Sequence, residues 1–171
     1  MFHEGRLKVH SEDNNTPAPA ESKVSSIAER YLEIALGSEK YALPLLRVRE
    51  VIAPPKVTEV PGTPAYYVGM MNLRGQVLSV IDLRKRLNIT PKQEGQEAVV
   101  ILEFDDVSIG AFVDSVNKVL SFSGSEVSAP PPNLNKTSAH VVGIYQSEEN
   151  LVSILALEKL LDLPKIASHA A

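Results

Sequence analysis

The 171-residue chain contains no cysteine and no tryptophan, and aromatic side chains make up only 5% of it. Without cysteine there are no disulfides, thiolate metal sites, CxxC redox pairs or cysteine nucleophiles. Scarce aromatics remove the stacking faces on which single-stranded nucleic acid is held. No apolar run reaches the roughly 18 residues that span a bilayer, and residues 1–29 lack a secretory-type hydrophobic stretch. A cytoplasmic location is therefore expected. Positive charge is also in deficit: 17 Lys+Arg against 21 Asp+Glu leave a net charge of −4. That balance gives no general pull toward nucleic acid or anionic lipid, so the expected partners are proteins.

Catalytic signatures are missing as well. The four histidines, His3, His10, His140 and His169, have no metal-ligand spacing, and there is no phosphate-cradling glycine loop, HExxH or GxSxG. Asp82, Asp105, Asp106 and Asp114 invite a paired-carboxylate reading, but capping and turn roles account for the first three, and no nucleophile accompanies them. The expectation is no catalytic residue, no metal and no cofactor.

What is present is a pattern of short strands. Residues 1–29 are polar and read as a flexible lead, although Val24, Ile27, Tyr31 and Ala35 recur at helical spacing. Tyr31–Leu36 alternates, Gly37–Lys40 suits a turn, and Tyr41–Leu43 resumes, which predicts a hairpin. Pro44 suits a first helical position, and Leu45, Val48, Val51 and Ile52 are spaced for one face of a short helix ending before Pro54-Pro55. Residues 53–67, rich in proline, predict a loop with one irregular edge strand at Lys56–Val60. Tyr67–Met71 and Val77–Ile81 flank Asn72-Leu-Arg-Gly75 as a second hairpin, and the Asp82 carboxylate can cap a helical turn at Leu83–Leu87. After polar residues 88–97, Ala98–Phe104 and Val107–Val113 form a third hairpin about Asp105-Asp106.

The second half repeats the first. Val68-Gly69, Ser79, Leu83, Lys85 and Leu87 match Val142-Gly143, Ser153, Leu157, Lys159 and Leu161 at one offset, 142 − 68 = 74. Leu45, Val48, Val51 and Ile52 match Val113, Val116, Val119 and Leu120 at 113 − 45 = 68. The longer proline-bearing connector of the second half absorbs the difference. Two small β-rich halves, each too short to bury much core alone, imply a duplicated small barrel with a groove between the halves as the natural binding site.

Two further positions carry specific chemistry. In Asn72-Leu-Arg-Gly75 the asparagine and glycine suit a tight turn, while the five donors of Arg74 can tie the loop to carbonyls or to a carboxylate elsewhere. Glu50, beside Arg47 and Arg49, is either a locally paired surface charge or a docking acid for a cationic partner.

Over residues 30–163 the chain resembles the CheW family. The resemblance rests on Gly37-Ser-Glu-Lys-Tyr-Ala-Leu43, Val48-Arg-Glu-Val51, Thr63-Pro-Ala65, Val68-Gly69, Asn72-Leu-Arg-Gly75, Val80-Ile-Asp-Leu-Arg84, Val113-Asp-Ser-Val116 and Val119-Leu120. It implies a mainly β fold of two intertwined five-stranded SH3-like barrels with short helices and a C-terminal helix. Residues 1–29 would lead into this domain and 164–171 would form a tail. The implied function is a non-catalytic adaptor coupling chemoreceptor hairpin tips to the regulatory domain of the histidine kinase CheA, with membrane association only through receptor complexes.

By matching position, Val48, Glu50, Val99, Gly110, Val116 and Val119 resemble the receptor-facing groove and its walls. Asn72, Arg74 and Gly75 resemble the signalling loop, and Leu78, Val80 and Asp82 mark a kinase-binding barrel end. The chain departs from the family at Ser79, where members often carry proline. Three alternatives follow from these residues: the same adaptor serving pili, surface growth or development; a small-barrel module for another ligand such as nucleic acid, which the acidic balance opposes; and a hydrolase using the aspartates.

Overall fold

The computed structural model describes residues 27–91, 97–105, 107–131, 139–147 and 150–161. The lead through residue 26, Asp106 and the tail 164–171 lie outside the described residues. Alternation and turn chemistry place the first hairpin where the sequence predicts it. β1 (Glu29–Leu36) and β2 (Glu39–Pro44) pair antiparallel from Tyr31↔Pro44 to Leu36↔Glu39.

The segment after this hairpin corrects the helical reading. Pro44 ends β2 instead of opening a helix, Leu45–Arg47 makes one 3-10 turn, and Val48–Ile52 is a strand, β3. Val48, Val51 and Ile52 are β-branched and stiff at χ1, which favours the strand. What decides it is the antiparallel partner β6 (Ala98–Phe104), in register from Val48↔Leu102 to Ile52↔Val99. A helical spacing over eight residues yields to a ladder supplied from the other half of the chain.

β4 (Tyr67–Leu73) and β5 (Gln76–Asp82) form the second hairpin, and α1 (Leu83–Leu87) follows with Asp82 as N-cap, its carboxylate accepting from the N–H groups of Arg84 and Lys85. The edge strand expected at Lys56–Val60 reduces to one bridge, Thr58↔Met70. β6 and β7 (Val107–Val113) make the third hairpin. Then come β8 (Ser115–Phe122), the two-residue β9 (Val127–Ser128), β10 (Val141–Gln146), β11 (Leu151–Leu155) and α2 (Leu157–Leu161).

The strands assemble into two sheets, in the orders β3-β6-β7-β5-β4 and β8-β1-β2-β11-β10-β9. Each sheet takes its first hairpin from one half of the sequence and its remaining strands from the other, so the halves interleave. The repeat holds residue by residue: Val48 faces Leu102 as Val116 faces Ile34, and Thr58 bridges Met70 as Ser128 pairs with Ile144. Both offsets recur in these pairs, 116 − 48 = 68 and 144 − 70 = 74.

Three apolar clusters follow from this layering. The largest lies between the sheets and draws on both, from Ile34, Leu36, Tyr41 and Leu43 to Val100, Leu102, Ile109 and Val113. Each sheet also encloses its own cluster on the opposite face: Met71, Leu78, Val80, Val99 and Ile101 in one, Ala42, Leu120, Phe122, Val152 and Ile154 in the other. β6 therefore buries both faces, which explains why Ala98–Ile101 is continuously apolar.

Each sheet curls so that its edges meet through side chains. In the five-stranded sheet Glu50 on β3 reaches Arg74 beside β4, and Arg49 Nη1 donates to Gln76 Oε1 at 3.3 Å. In the six-stranded sheet Phe122 on β8 stacks between Tyr31 and Tyr145, with ring centroids 4.4 and 4.1 Å away.

Candidate functional site

The turn between β4 and β5 is built on two consecutive left-handed residues, Arg74 at φ +53 and Gly75 at φ +89. This is the twist a two-residue hairpin loop requires. Asn72 does not supply the left-handed backbone; its Oδ1 instead accepts the Gly75 N–H at 2.8 Å and clamps the loop. An arginine in this conformation costs roughly 1–2 kcal/mol. Its guanidinium pairs with Glu50 through Nη2–Oε2 at 3.0 Å and Nη1–Oε1 at 3.4 Å, while 75% of the Arg74 side chain stays exposed. An exposed pair contributes only about 0–1 kcal/mol, so stability does not account for the arrangement. It leaves a pinned, charged surface feature across the mouth of the five-stranded sheet.

A second network lies inside. Arg84, with 8% of its side chain exposed, donates from Nε and Nη2 to both oxygens of Asp82 at 2.9 Å. Its Nη1 reaches Asp114 Oδ1 and Glu97 Oε1, each at 2.7 Å. Asp114 Oδ2 accepts the Gly37 N–H at 2.6 Å. The hydrogen bond to Asp82 above all, aided by Glu97 and Asp114 and opposed by burial, holds the guanidinium firmly protonated. One cation thus joins α1, the β1–β2 turn, the start of β6 and the β7–β8 corner, and so ties the two halves together.

Glu97 leads from this network to the surface. A cleft of about 750 Å³ opens where the two sheets adjoin, lined by Val51, Ile52, Ala53 and Pro54 after β3, Glu97 and Ala98 at the start of β6, and Ser115 and Val116 at the start of β8. Among the described residues that line it, Glu97 is the charged one.

The structure joins some of the expected site residues and separates others. Glu50 and Arg74 are in contact, with Asn72 and Gly75 in the same loop. Val116 lines the cleft, Val48 packs on the central core, and Val119 is exposed on β8. Val99, Leu78 and Val80 lie together inside the five-stranded sheet, and a Cβ on Gly110 would meet Val99 at 3.1 Å and Val80 at 3.5 Å. These four support the surface from within. Asp82 is buried and committed to Arg84 and to the cap of α1. Sequence reasoning missed Arg84 and Glu97 as a linked pair. The available signal was an arginine two residues after a capping aspartate, where a largely apolar strand ends. Among the described residues no group of three or more His, Asp or Glu is placed to hold a metal ion, and no helix is long and apolar enough to cross a membrane.

Two interleaved curled sheets, a cleft at their junction and a pinned charged loop define a small double-sheet β module with a prepared surface. Comparison places it more narrowly. The CheW-like domain profile matches residues 30–165. The chemotaxis protein CheW of Bacillus subtilis is 32% identical over 136 residues, covering 78% of this chain and 87% of that protein. That of Klebsiella aerogenes is 30% identical over 149 residues, covering 83% and 87%. The crystal structure of the scaffolding protein TtCheW from Thermoanaerobacter tengcongensis superposes with a TM-score of 0.72 at 30% identity, covering 78% of this chain and 92% of that one. The chain belongs to the CheW-like domain family, and similarity of this extent supports a chemotaxis adaptor role.

Proposed function

We propose that the chain is a cytoplasmic, non-catalytic adaptor that couples the hairpin tips of chemoreceptors to the regulatory domain of CheA. Residues 30–163 form the working domain, with 1–29 and 164–171 as appendages, and membrane association comes only through receptor complexes. The observation that carries the reading is the cleft at the sheet junction beside the pinned Glu50–Arg74 pair. Apolar β-branched side chains with one orienting charge suit a helical partner, which docks apolar anchors and reads register from charge.

In this reading Val48, Glu50, Val116 and Val119 face the receptor, with Val99 and Gly110 supporting the wall behind them. Asn72, Arg74 and Gly75 form the signalling loop. CheA is assigned to the end of the five-stranded sheet that carries β5: Leu78, Val80 and Asp82 shape that end from inside, and Val77, 59% exposed, supplies apolar contact.

Binding of the purified chain to a CheA regulatory domain and to a receptor tip fragment tests the proposal. A folded Glu50→Lys variant should lose receptor binding and keep CheA binding, and Arg74→Ala should weaken receptor binding by releasing Glu50 from its fixed orientation. Absence of wild-type binding to both partners would overturn the adaptor reading.

A further inference from the structure

Glu97 is placed unlike any other carboxylate of the described surface. Its side chain is 50% exposed and stands at the cleft, yet its Oε1 is anchored at 2.7 Å by a guanidinium that is itself almost fully buried. Among the described residues its hydrogen bond is to Arg84, at Oε1, and the half-exposed carboxylate lines the cleft. The anchor does not neutralise it, because the single positive charge of Arg84 is already shared with Asp82 and Asp114. A carboxylate with its rotamer fixed from behind presents an acceptor at little further cost in side-chain entropy on binding. Apart from Ser115, the side chains around it in the cleft, Val51, Ile52, Ala53, Pro54, Ala98 and Val116, are apolar and offer contacts to the groups that flank a bound cation.

We propose that Glu97 is the specificity-determining acceptor of the cleft, and that it selects a helical partner presenting a lysine or arginine flanked by apolar side chains. The inference rests on the adaptor reading and deepens it. The partner helix is the receptor tip; its apolar groups fill the cleft, and its cation meets the Glu97 carboxylate. Because Arg84 also holds Asp114 at the β7–β8 corner, the position of Glu97 is set by the packing of the two halves against each other.

The test measures the dissociation constant of a fluorescently labelled receptor hairpin tip fragment for the full chain at low and high salt. Glu97→Gln preserves volume and the Arg84 contact; it should weaken binding about tenfold, the size of one lost hydrogen bond to a charged group, and flatten the salt dependence. Glu97→Lys should weaken it further, with circular dichroism and the unfolding midpoint checking the fold. Replacing each lysine and arginine of the fragment by alanine should reveal one position at which Glu97→Gln has no additional effect. If Val116→Asp abolishes binding while both Glu97 variants bind as tightly as wild type with the same salt slope, this inference is overturned and the adaptor reading stands. A wild-type chain that does not bind the fragment overturns both.

Discussion

At the scale of single residues, Arg84 is a costly side chain to remove. Arg84→Ala leaves the buried carboxylates of Asp82 and Asp114 without their cation. Breaking a buried pair in this way destabilises by about 3–5 kcal/mol, and Arg84→Lys recovers little because an ammonium cannot serve both oxygens of Asp82 and reach Asp114. Urea unfolding of both variants reads this directly; a lysine variant as stable as wild type would contradict the fork geometry.

Two titratable groups set separate pH windows. His140 lies below the ordinary imidazole value of 6.5, chiefly through burial and also through the charge of Arg86, and its Nδ1 is buried without a partner among the described residues. The unfolded chain therefore takes up this proton more readily, and stability falls as pH drops below 6.5 toward the folded value. Glu33 is buried, which works against its charge, yet hydrogen bonds from Asn117 and Lys40, with the charges of Lys40 and Lys118, hold it below its usual 4.5. Its contribution is complete above that value and is lost as pH falls through the lower folded one. Thermal midpoints taken from pH 7.5 to 3 should show both declines, the upper one absent in His140→Gln and the lower one reduced in Glu33→Gln. An unchanged upper decline in His140→Gln would assign that window to another group.

At the scale of elements, the edge of the five-stranded sheet carries a short contact that sequence pattern marks only weakly. Gly69 sits at φ +145, and a Cβ there would collide with the Thr58 carbonyl oxygen, so the Thr58–Met70 bridge exists because residue 69 has no side chain. Gly75, at φ +89, has nothing within 4 Å of a built Cβ. Gly69→Ala should therefore cost more than Gly75→Ala, which bears only the backbone penalty of roughly 1–2 kcal/mol. Chemical denaturation ranks the two, and hydrogen exchange at the Thr58 and Met70 amides should rise in Gly69→Ala alone. β3 carries the complementary lesson: its helical spacing and its strand alternation are both present in Val48–Ile52, and only the partner β6 chooses between them.

At the scale of the whole molecule, neither half owns a complete sheet. The first hairpin, β1–β2, pairs with β8 and β11, while β6–β7 pairs with β3 and β5. A fragment of residues 27–91 would expose the central faces of β1 and β2, leave β3 without its neighbour β6, and leave β5 paired with β4 alone. It should show no cooperative unfolding and little strand signal by circular dichroism, and mixing it with residues 92–161 should restore both. A cooperatively folded 27–91 fragment would contradict the interleaving.

The sequence alone determined the hairpins, the Asp82 cap, the internal repeat with its two offsets, and Glu50 and Arg74 as residues to watch. Those features are local: alternation reports which face is buried, and turn residues report where the chain reverses. Tertiary structure alone decided that β3 is a strand, that Glu50 meets Arg74, that Leu78, Val80, Val99 and Gly110 share one interior, and that Arg84 holds Glu97 at the cleft. The interleaving was implied by the family resemblance and by nothing in the alternation, because an apolar face specifies burial without naming its partner. Pairings between residues far apart in sequence, such as Asp114 with Gly37 and Arg84, depend on how the two interleaved sheets bring those residues together, and no local pattern encodes that distance.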